Sequence, residues 1–291
     1  MSKGKIKNSD YVTRFAPSPS GRLHKGHAFS ALTAYRLAQE NGGRFLLRIE
    51  DIDASRCKPE FVEGIYEDLA WLDLDWDRPV RLQSEHYSDY TAALDKLKTL
   101  GALYPCFCTR KDIREEIQRA ESAPHAPKRG TTGLVYPGLC RGKDIAKCEA
   151  MIAEGKPHAW RLDLKAALKK IKGPLIWHDE IKGDITAVPH ELGDVVLARK
   201  DMPTSYHLSV VVDDAVQGIN HIIRGEDLFQ ATHIHIVLQK LLGLATPAYH
   251  HHALLLDEQG ERFAKRNKSA TLENLQTAGV RAADLINELF P

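Results

Sequence analysis

Between residues 11 and 49 the apolar positions change period twice, from strand to helix and back to strand. Residues 11–15 read as a strand that breaks at Ala16-Pro17-Ser18-Pro19-Ser20-Gly21, where the prolines fix φ and the glycine permits close backbone approach. Over 27–40, Ala28, Ala31, Leu32, Tyr35 and Ala38 recur at helical spacing, and Asn41-Gly42-Gly43 supplies a C-terminal stop. Residues 44–49 then read as a second buried strand. Strand, glycine-bearing loop, helix and strand within about 40 residues make a βαβ unit, which implies a parallel sheet with ligands at the carboxyl ends of its strands.

Helical periodicity recurs over 60–72 and around 90–100. From 104 to about 160 it fades into cysteines, Pro124, Pro127, Gly130, Gly133, Pro137 and Gly138, the character of an inserted subdomain. Strand-like β-branched residues return over 208–212, ending in Asp213-Asp214, and at Ile222-Ile223 before Arg224-Gly225-Glu226-Asp227. Ile234, Val237, Leu238, Leu241 and Leu242 form a helix face closed by Gly243, and 254–256 reads as a last strand before a turn over 257–260. The expected fold is α/β: a doubly wound, Rossmann-like parallel-sheet domain in two halves, 1–103 and 190–291, split by an α+β insertion over 104–189.

Composition narrows the class without naming a partner. The 291 residues are 43% hydrophobic and 27% charged, enough for an ordinary core, and no run reaches the roughly 18 apolar residues of a membrane span. The polar N-terminal stretch lacks an apolar h-region, so a cytoplasmic protein is expected, with a membrane and DNA excluded as partners. A monomer is the expected state. The net charge of +1 requires any nucleic acid to be held by a local patch, for which Arg110, Lys111, Arg114, Lys165, Lys169, Lys170 and Lys172 are candidates, although such runs also suit solvated helix faces. Five cysteines, an odd number, favour metal binding over a disulfide framework.

Three constellations carry chemistry. In His24-Lys25-Gly26-His27, two imidazoles at the mouth of a helix can donate N–H groups to phosphate beside the positive helix end, while Gly26 lets a nucleotide lie against the backbone. The run Glu261-Arg262-Phe263-Ala264-Lys265-Arg266-Asn267-Lys268-Ser269 can close cations over a triphosphate, or serve only as a solvated basic loop. Cys106-Phe107-Cys108 with Cys140 makes three corners of a tetrahedral zinc site, and the spacing leaves His125 or Cys148 open as the fourth.

The first two segments, in this order, resemble the HIGH and KMSKS signatures of class I aminoacyl-tRNA synthetases, with Phe263 and Ala264 departing from the usual methionine and serine. The RFAPS run over 14–18, Glu50 within Ile49-Glu50-Asp51-Ile52-Asp53, Tyr206, the VVVDD run over 210–214 and Arg224 within Ile223-Arg224-Gly225-Glu226-Asp227 are similar to the glutamyl-tRNA synthetase catalytic core, from about 11 to 269. The resemblance implies L-glutamate held by Arg14, Phe15, Ala16, Pro17, Ser18, Glu50, Tyr206 and Arg224. Arg14 and Arg224 would take its carboxylates and Glu50 its ammonium. It implies ATP with Mg²⁺ at His24, Gly26, His27 and Lys265, the two histidines and Lys265 being catalytic. The short chain and the pattern Cys106, Cys108, Tyr136, Cys140 are similar to the glutamyl-Q tRNA(Asp) synthetase family, which makes Tyr136 the fourth ligand of one structural Zn²⁺ and tRNA(Asp) carrying queuosine the acceptor. The alternatives are a truncated ordinary glutamyl-tRNA synthetase and a non-catalytic, zinc-bearing RNA-binding paralogue.

Overall fold

The computed structural model describes residues 10–121, 129–130, 133–255 and 270–291. The first half runs β1 (Val12–Phe15), α1 (Lys25–Glu40), β2 (Arg44–Ile49), α2 (Pro59–Trp71), β3 (Asp77–Leu82) and α3 (Tyr87–Thr99). The middle follows with β4 (Leu103–Cys106), α4 (Arg110–Glu121), β5 (Arg129–Gly130), β6 (Gly133–Leu134), α5 (Ile145–Ala153), β7 (Ala159–Leu162), α6 (Leu164–Lys170), β8 (Ile176–Asp179) and β9 (Gly183–Thr186). The chain continues through β10 (Val196–Arg199), α7 (Tyr206–Val216), β11 (His221–Gly225), α8 (Phe229–Leu242), β12 (Ala248–His252), α9 (Leu272–Thr277) and α10 (Ala282–Leu289).

Burial dictates the arrangement. All four residues of β1 are buried, as are five of the six in β2, so both strands need a layer on each face. α1 covers one face with Ala28, Ala31, Leu32, Ala34 and Ala38. The turn from α1 into β2 is tight: a Cβ on Gly43 would lie 2.0 Å from the Tyr11 carbonyl oxygen, so this position requires glycine.

β1, β2 and β3 pair in parallel, and so do β11, β12 and β8, with β9 antiparallel on the outer edge. The two sets meet at β1 and β11, where Val12 exchanges hydrogen bonds with Asn220 and the Arg14 guanidinium reaches the Ile223 carbonyl. Parallel pairing brings the carboxyl ends of β1, β2, β11 and β12 to one edge, where ligands bind in such sheets. β4, β7 and β10 form a separate antiparallel sheet in the order β10-β7-β4. Strand pairing therefore crosses residue 189, because β8 joins the parallel sheet through β12 while β10 joins β7.

Two sequence expectations are corrected. Residues 208–212 are not a strand but the centre of α7, buried on every side from Leu208 to Asp214. Valine costs a helix only a few tenths of a kcal/mol, so burial against α3 and α8 overrides the β-branched preference. The last strand is β12 at Ala248–His252, and Leu254 and Leu255 follow it outside any strand. Leu256 lies outside the described residues, as do His125 and the 261–269 run with Lys265. Among the described residues no helix is long and apolar enough to cross a membrane.

Candidate active site

The loop after β1 delivers His24 as the N-cap of α1, whose first residue, Lys25, lies two positions before the helix start that the periodicity gave. The Gly26 N–H donates to His24 Nδ1 at 3.1 Å, and the His24 N–H donates to His27 Nδ1 at 3.2 Å. Both Nδ1 atoms are thus acceptors, which makes Nε2 the N–H donor of each neutral ring at the positive end of the helix. The rings lie 3.7 Å apart between centroids. Thr271 bridges back to His24, and the Leu272 N–H donates to the Leu23 carbonyl at 2.9 Å, so the chain after residue 269 returns to this corner.

Along β1, β2 and β3, three guanidinium groups meet three carboxylates. Asp214 accepts from Arg14 Nε at 2.9 Å and from Arg48 Nη1 at 2.7 Å, and Arg48 Nη2 donates to Glu50 at 3.0 Å. Its neighbour Asp213, one step around α7, accepts from Arg81 at 2.7 Å, Gln83 at 2.7 Å and the Tyr90 hydroxyl at 2.9 Å. Burial raises the Glu50 carboxyl above its ordinary range against the pull of Arg48 and Arg14, and an ammonium beside it would lower it again. Arg14 and Arg48 outweigh burial at Asp214 and hold it below the carboxylate range.

Arg224, at the end of β11, is 5% exposed and is surrounded by neutral groups. It donates to the Tyr206 hydroxyl at 3.1 Å, to His251 Nε2 at 3.1 Å and to Thr232, with His235 Nδ1 at 3.4 Å. The charges of Arg224, Glu50 and Arg14 all act on Tyr206, so four of the residues expected at glutamate, from four separate segments, lie in one neighbourhood. Ser18, Glu50 and Tyr206 line one cavity of about 340 Å³ together with Gln83 and Arg199.

Burial, then the Arg224 charge, pushes His207 down to about 4 and His251 down to about 3, and His235 well below its ordinary value. These rings refuse protons that the unfolded chain accepts near pH 6.5. Their stabilisation is complete above that pH and falls as the pH drops toward the folded values, at up to about 1.4 kcal/mol per pH unit for each ring. Burial lowers His221, His233 and His252 in the same sense, and it raises Asp68 to about 6, which acts the opposite way. Histidines dominate, so urea midpoints are expected to decline steadily from pH 7 to pH 5; a flat profile over that range would contradict this assignment of neutral rings.

A second cluster lies on β4 and the segment before α5. Cys106, Cys108 and Cys140 place their sulfurs within 4.8 Å of one another. The Tyr136 hydroxyl is 3.3 Å from the Cys106 sulfur and 3.5 Å from that of Cys108, and it accepts the Cys140 backbone N–H at 3.0 Å. Three soft sulfurs and a phenol oxygen around one point suit a tetrahedral cation such as zinc. Among the described residues, Cys148 is buried on α5 outside this group.

Residues 10–290 match the family described as tRNA synthetases class I (E and Q), catalytic domain. The chain belongs to this family of ligases. The synthetase is 48% identical over 280 residues to the glutamyl-Q tRNA(Asp) synthetase of Rhodobacter capsulatus, covering 94% of this chain and 98% of that protein. It is 41% identical over 284 residues to the glutamyl-Q tRNA(Asp) synthetase of Nitratidesulfovibrio vulgaris, covering 95% of this chain and 84% of that one. Its fold is similar to the crystal structure of a glutamate tRNA ligase from Elizabethkingia meningosepticum, with a TM-score of 0.79, 24% identity and 97% of this chain covered. The chain spans 60% of that longer ligase. Sequence reasoning missed Arg48, Asp179, Thr232, His235 and His251 in the synthetase site. Arg48 had a signal, a cation inside an otherwise apolar strand, which demands a buried partner; the others had none, because their strands and helix meet only in the folded sheet.

Proposed function

We propose that this synthetase activates L-glutamate with Mg-ATP and transfers it to the queuosine base in the anticodon of tRNA(Asp). The observation that carries the reading is that Glu50 and Tyr206 line one cavity, with Arg224 bonded to the Tyr206 hydroxyl at 3.1 Å and Arg14 joined to Glu50 through Asp214 and Arg48, which gathers two candidate substrate cations and an anion in one region. A dicarboxylic amino acid needs that charge pattern: guanidinium forks for its carboxylates and a carboxylate for its ammonium.

The α-carboxylate of glutamate is ionised at neutral pH, so its attack on the α-phosphorus of ATP needs no general base. One bond forms from the carboxylate oxygen to phosphorus, the bond to the bridging oxygen breaks, and pyrophosphate leaves. Alignment in the cleft and the Nε2–H donors of His24 and His27 stabilise the charge that develops. Lys265 is assigned to the same phosphates through its place in the KMSKS-like segment. A hydroxyl of the queuosine cyclopentene ring then attacks the glutamyl carbonyl and AMP departs. A cytoplasmic location follows from tRNA as the substrate.

Charging with radiolabelled glutamate, using matched tRNA(Asp) with and without queuosine, tests the reading. Label is expected only on the queuosine-containing tRNA and in its anticodon. Label on a 3′ end would identify an ordinary glutamyl-tRNA synthetase instead, and no glutamate-dependent ATP–pyrophosphate exchange even with tRNA would identify a non-catalytic paralogue.

Cys106, Cys108, Tyr136 and Cys140 would hold one zinc ion, which supplies a structural tie between β4 and the segment preceding α5. Atomic absorption is expected to find about one zinc per chain and to find it lost in Cys140→Ser. Retention of stoichiometric zinc by Cys140→Ser would remove that residue from the ligand set.

A further inference from the structure

Arg14 and Arg224 are held by opposite kinds of partner. Arg14 shares its charge with Asp214 at 2.9 Å, whereas no carboxylate lies at ion-pair distance from Arg224 among the described residues. A guanidinium can only donate, so His251 Nε2, 3.1 Å from Arg224 Nε, must offer a lone pair. The ring proton then sits on Nδ1 and donates to Asp179 Oδ2 at 2.6 Å. Asp179 Oδ1 accepts the backbone N–H groups of Ile181 and Lys182, each at 3.0 Å. A continuous chain runs from the turn between β8 and β9 through Asp179 and His251 to Arg224, and its side chains are 0%, 1% and 5% exposed.

We propose that Asp179 and His251 are positioning residues that fix Arg224 through a neutral acceptor, leaving its positive charge uncompensated and making it the group that selects glutamate over glutamine. The proposal rests on the glutamate-binding reading of the site. Its physical basis is a division of labour. A buried guanidinium needs acceptors to be held still, yet a carboxylate acceptor would neutralise it and compete with the substrate. Imidazole in the Nδ1–H form satisfies Nε without charge, while Asp179 fixes that tautomer from one bond away, as carboxylates do for metal-bound histidines. Tyr206, Thr232 and His235 occupy further donors equally neutrally. The one Nη2 N–H left over keeps the guanidinium's full charge for the substrate carboxylate, and an amide in its place forfeits that charge interaction.

The test combines a spectroscopic and a kinetic readout on the full chain. In ¹⁵N-histidine-labelled protein, assigned by comparison with His251→Gln, His251 is expected to carry its proton on Nδ1 at neutral pH. In ATP–pyrophosphate exchange, with tRNA present if required, His251→Leu is expected to raise the glutamate KM about 30-fold with kcat and the ATP KM within about threefold of wild type. His251→Gln, whose amide oxygen can accept from Nε, is expected to recover most of that loss. His251→Glu also supplies an acceptor, but its charge is expected to leave glutamate KM as high as in His251→Leu and to shrink the glutamate-over-glutamine preference about tenfold. A wild-type His251 protonated on Nε2, a His251→Leu enzyme with unchanged glutamate KM, or a His251→Glu enzyme as selective as wild type would each overturn the proposal. Should His251→Leu fail to fold by circular dichroism, the wild-type tautomer and the Gln and Glu variants still decide it. Absence of glutamate-dependent exchange in the wild type would sink the functional reading instead, and the tautomer measurement would then judge the Asp179–His251–Arg224 geometry separately.

Discussion

Arg224→Leu is expected to lower kcat/KM for glutamate in ATP–pyrophosphate exchange by about 10²- to 10³-fold, the largest single loss in the site. Removing one partner of a buried charge pair costs 2–5 kcal/mol or more, and every 1.4 kcal/mol is tenfold. The loss should fall on glutamate, with the ATP KM near wild type, because the phosphates are assigned to the His24 and His27 corner. Arg224→Lys should recover little: an ammonium keeps the charge, but its three N–H groups cannot reach His251, Tyr206 and Thr232 and still present one to a carboxylate. A glutamate kcat/KM for Arg224→Leu within tenfold of wild type would remove Arg224 from the substrate site.

The second large effect is on stability. Asp214→Leu leaves Arg14 and the fully buried Arg48 without their shared carboxylate, and breaking a buried pair from one side costs about 3–5 kcal/mol. Urea denaturation is expected to show a loss of that size, together with a raised glutamate KM, because Arg14 and Glu50 are both held through this cluster. The double variant Arg48→Met/Asp214→Leu is expected to be less destabilised than the sum of the single changes, since removing both charges spares the surviving partner its burial unpaired. Strict additivity of the two variants would show that Asp214 and Arg48 act independently despite their 2.7 Å contact.

The expected βαβ unit at the start of the chain forms, since a buried strand, a proline-rich break, an amphipathic helix and a glycine stop are each local signals written at their own period. The corrections come where the signal was not local. Val210, Val211 and Val212 look like a strand by propensity, yet the chain winds them into α7, where a helix aims Asp213 and Asp214 at two arginine clusters that share Arg48 while Leu208 and the three valines fill the space between α3 and α8. Extended backbone would turn those adjacent carboxylates to opposite faces of a sheet, and one of the clusters would lose its partner.

The candidate site divides the same way. The resemblance of the motifs to a known catalytic core is what indicated in sequence which side chains would hold a dicarboxylic amino acid and a triphosphate, and the charge each side chain carries agrees with that assignment. How those side chains are held was decided only by folding. Arg14 meets Asp214 across 200 positions of chain, Arg48 meets it across 166, and His251 meets Asp179 across 72. Such pairings depend on which strands become neighbours in the parallel sheet, and no local periodicity records that choice. The tertiary structure also divided the roles of two arginines that look alike in sequence: one shares its charge with a carboxylate, and the other keeps its charge among neutral rings and hydroxyls. That difference arises from the groups each guanidinium is buried against, and burial is settled only when the whole chain has packed.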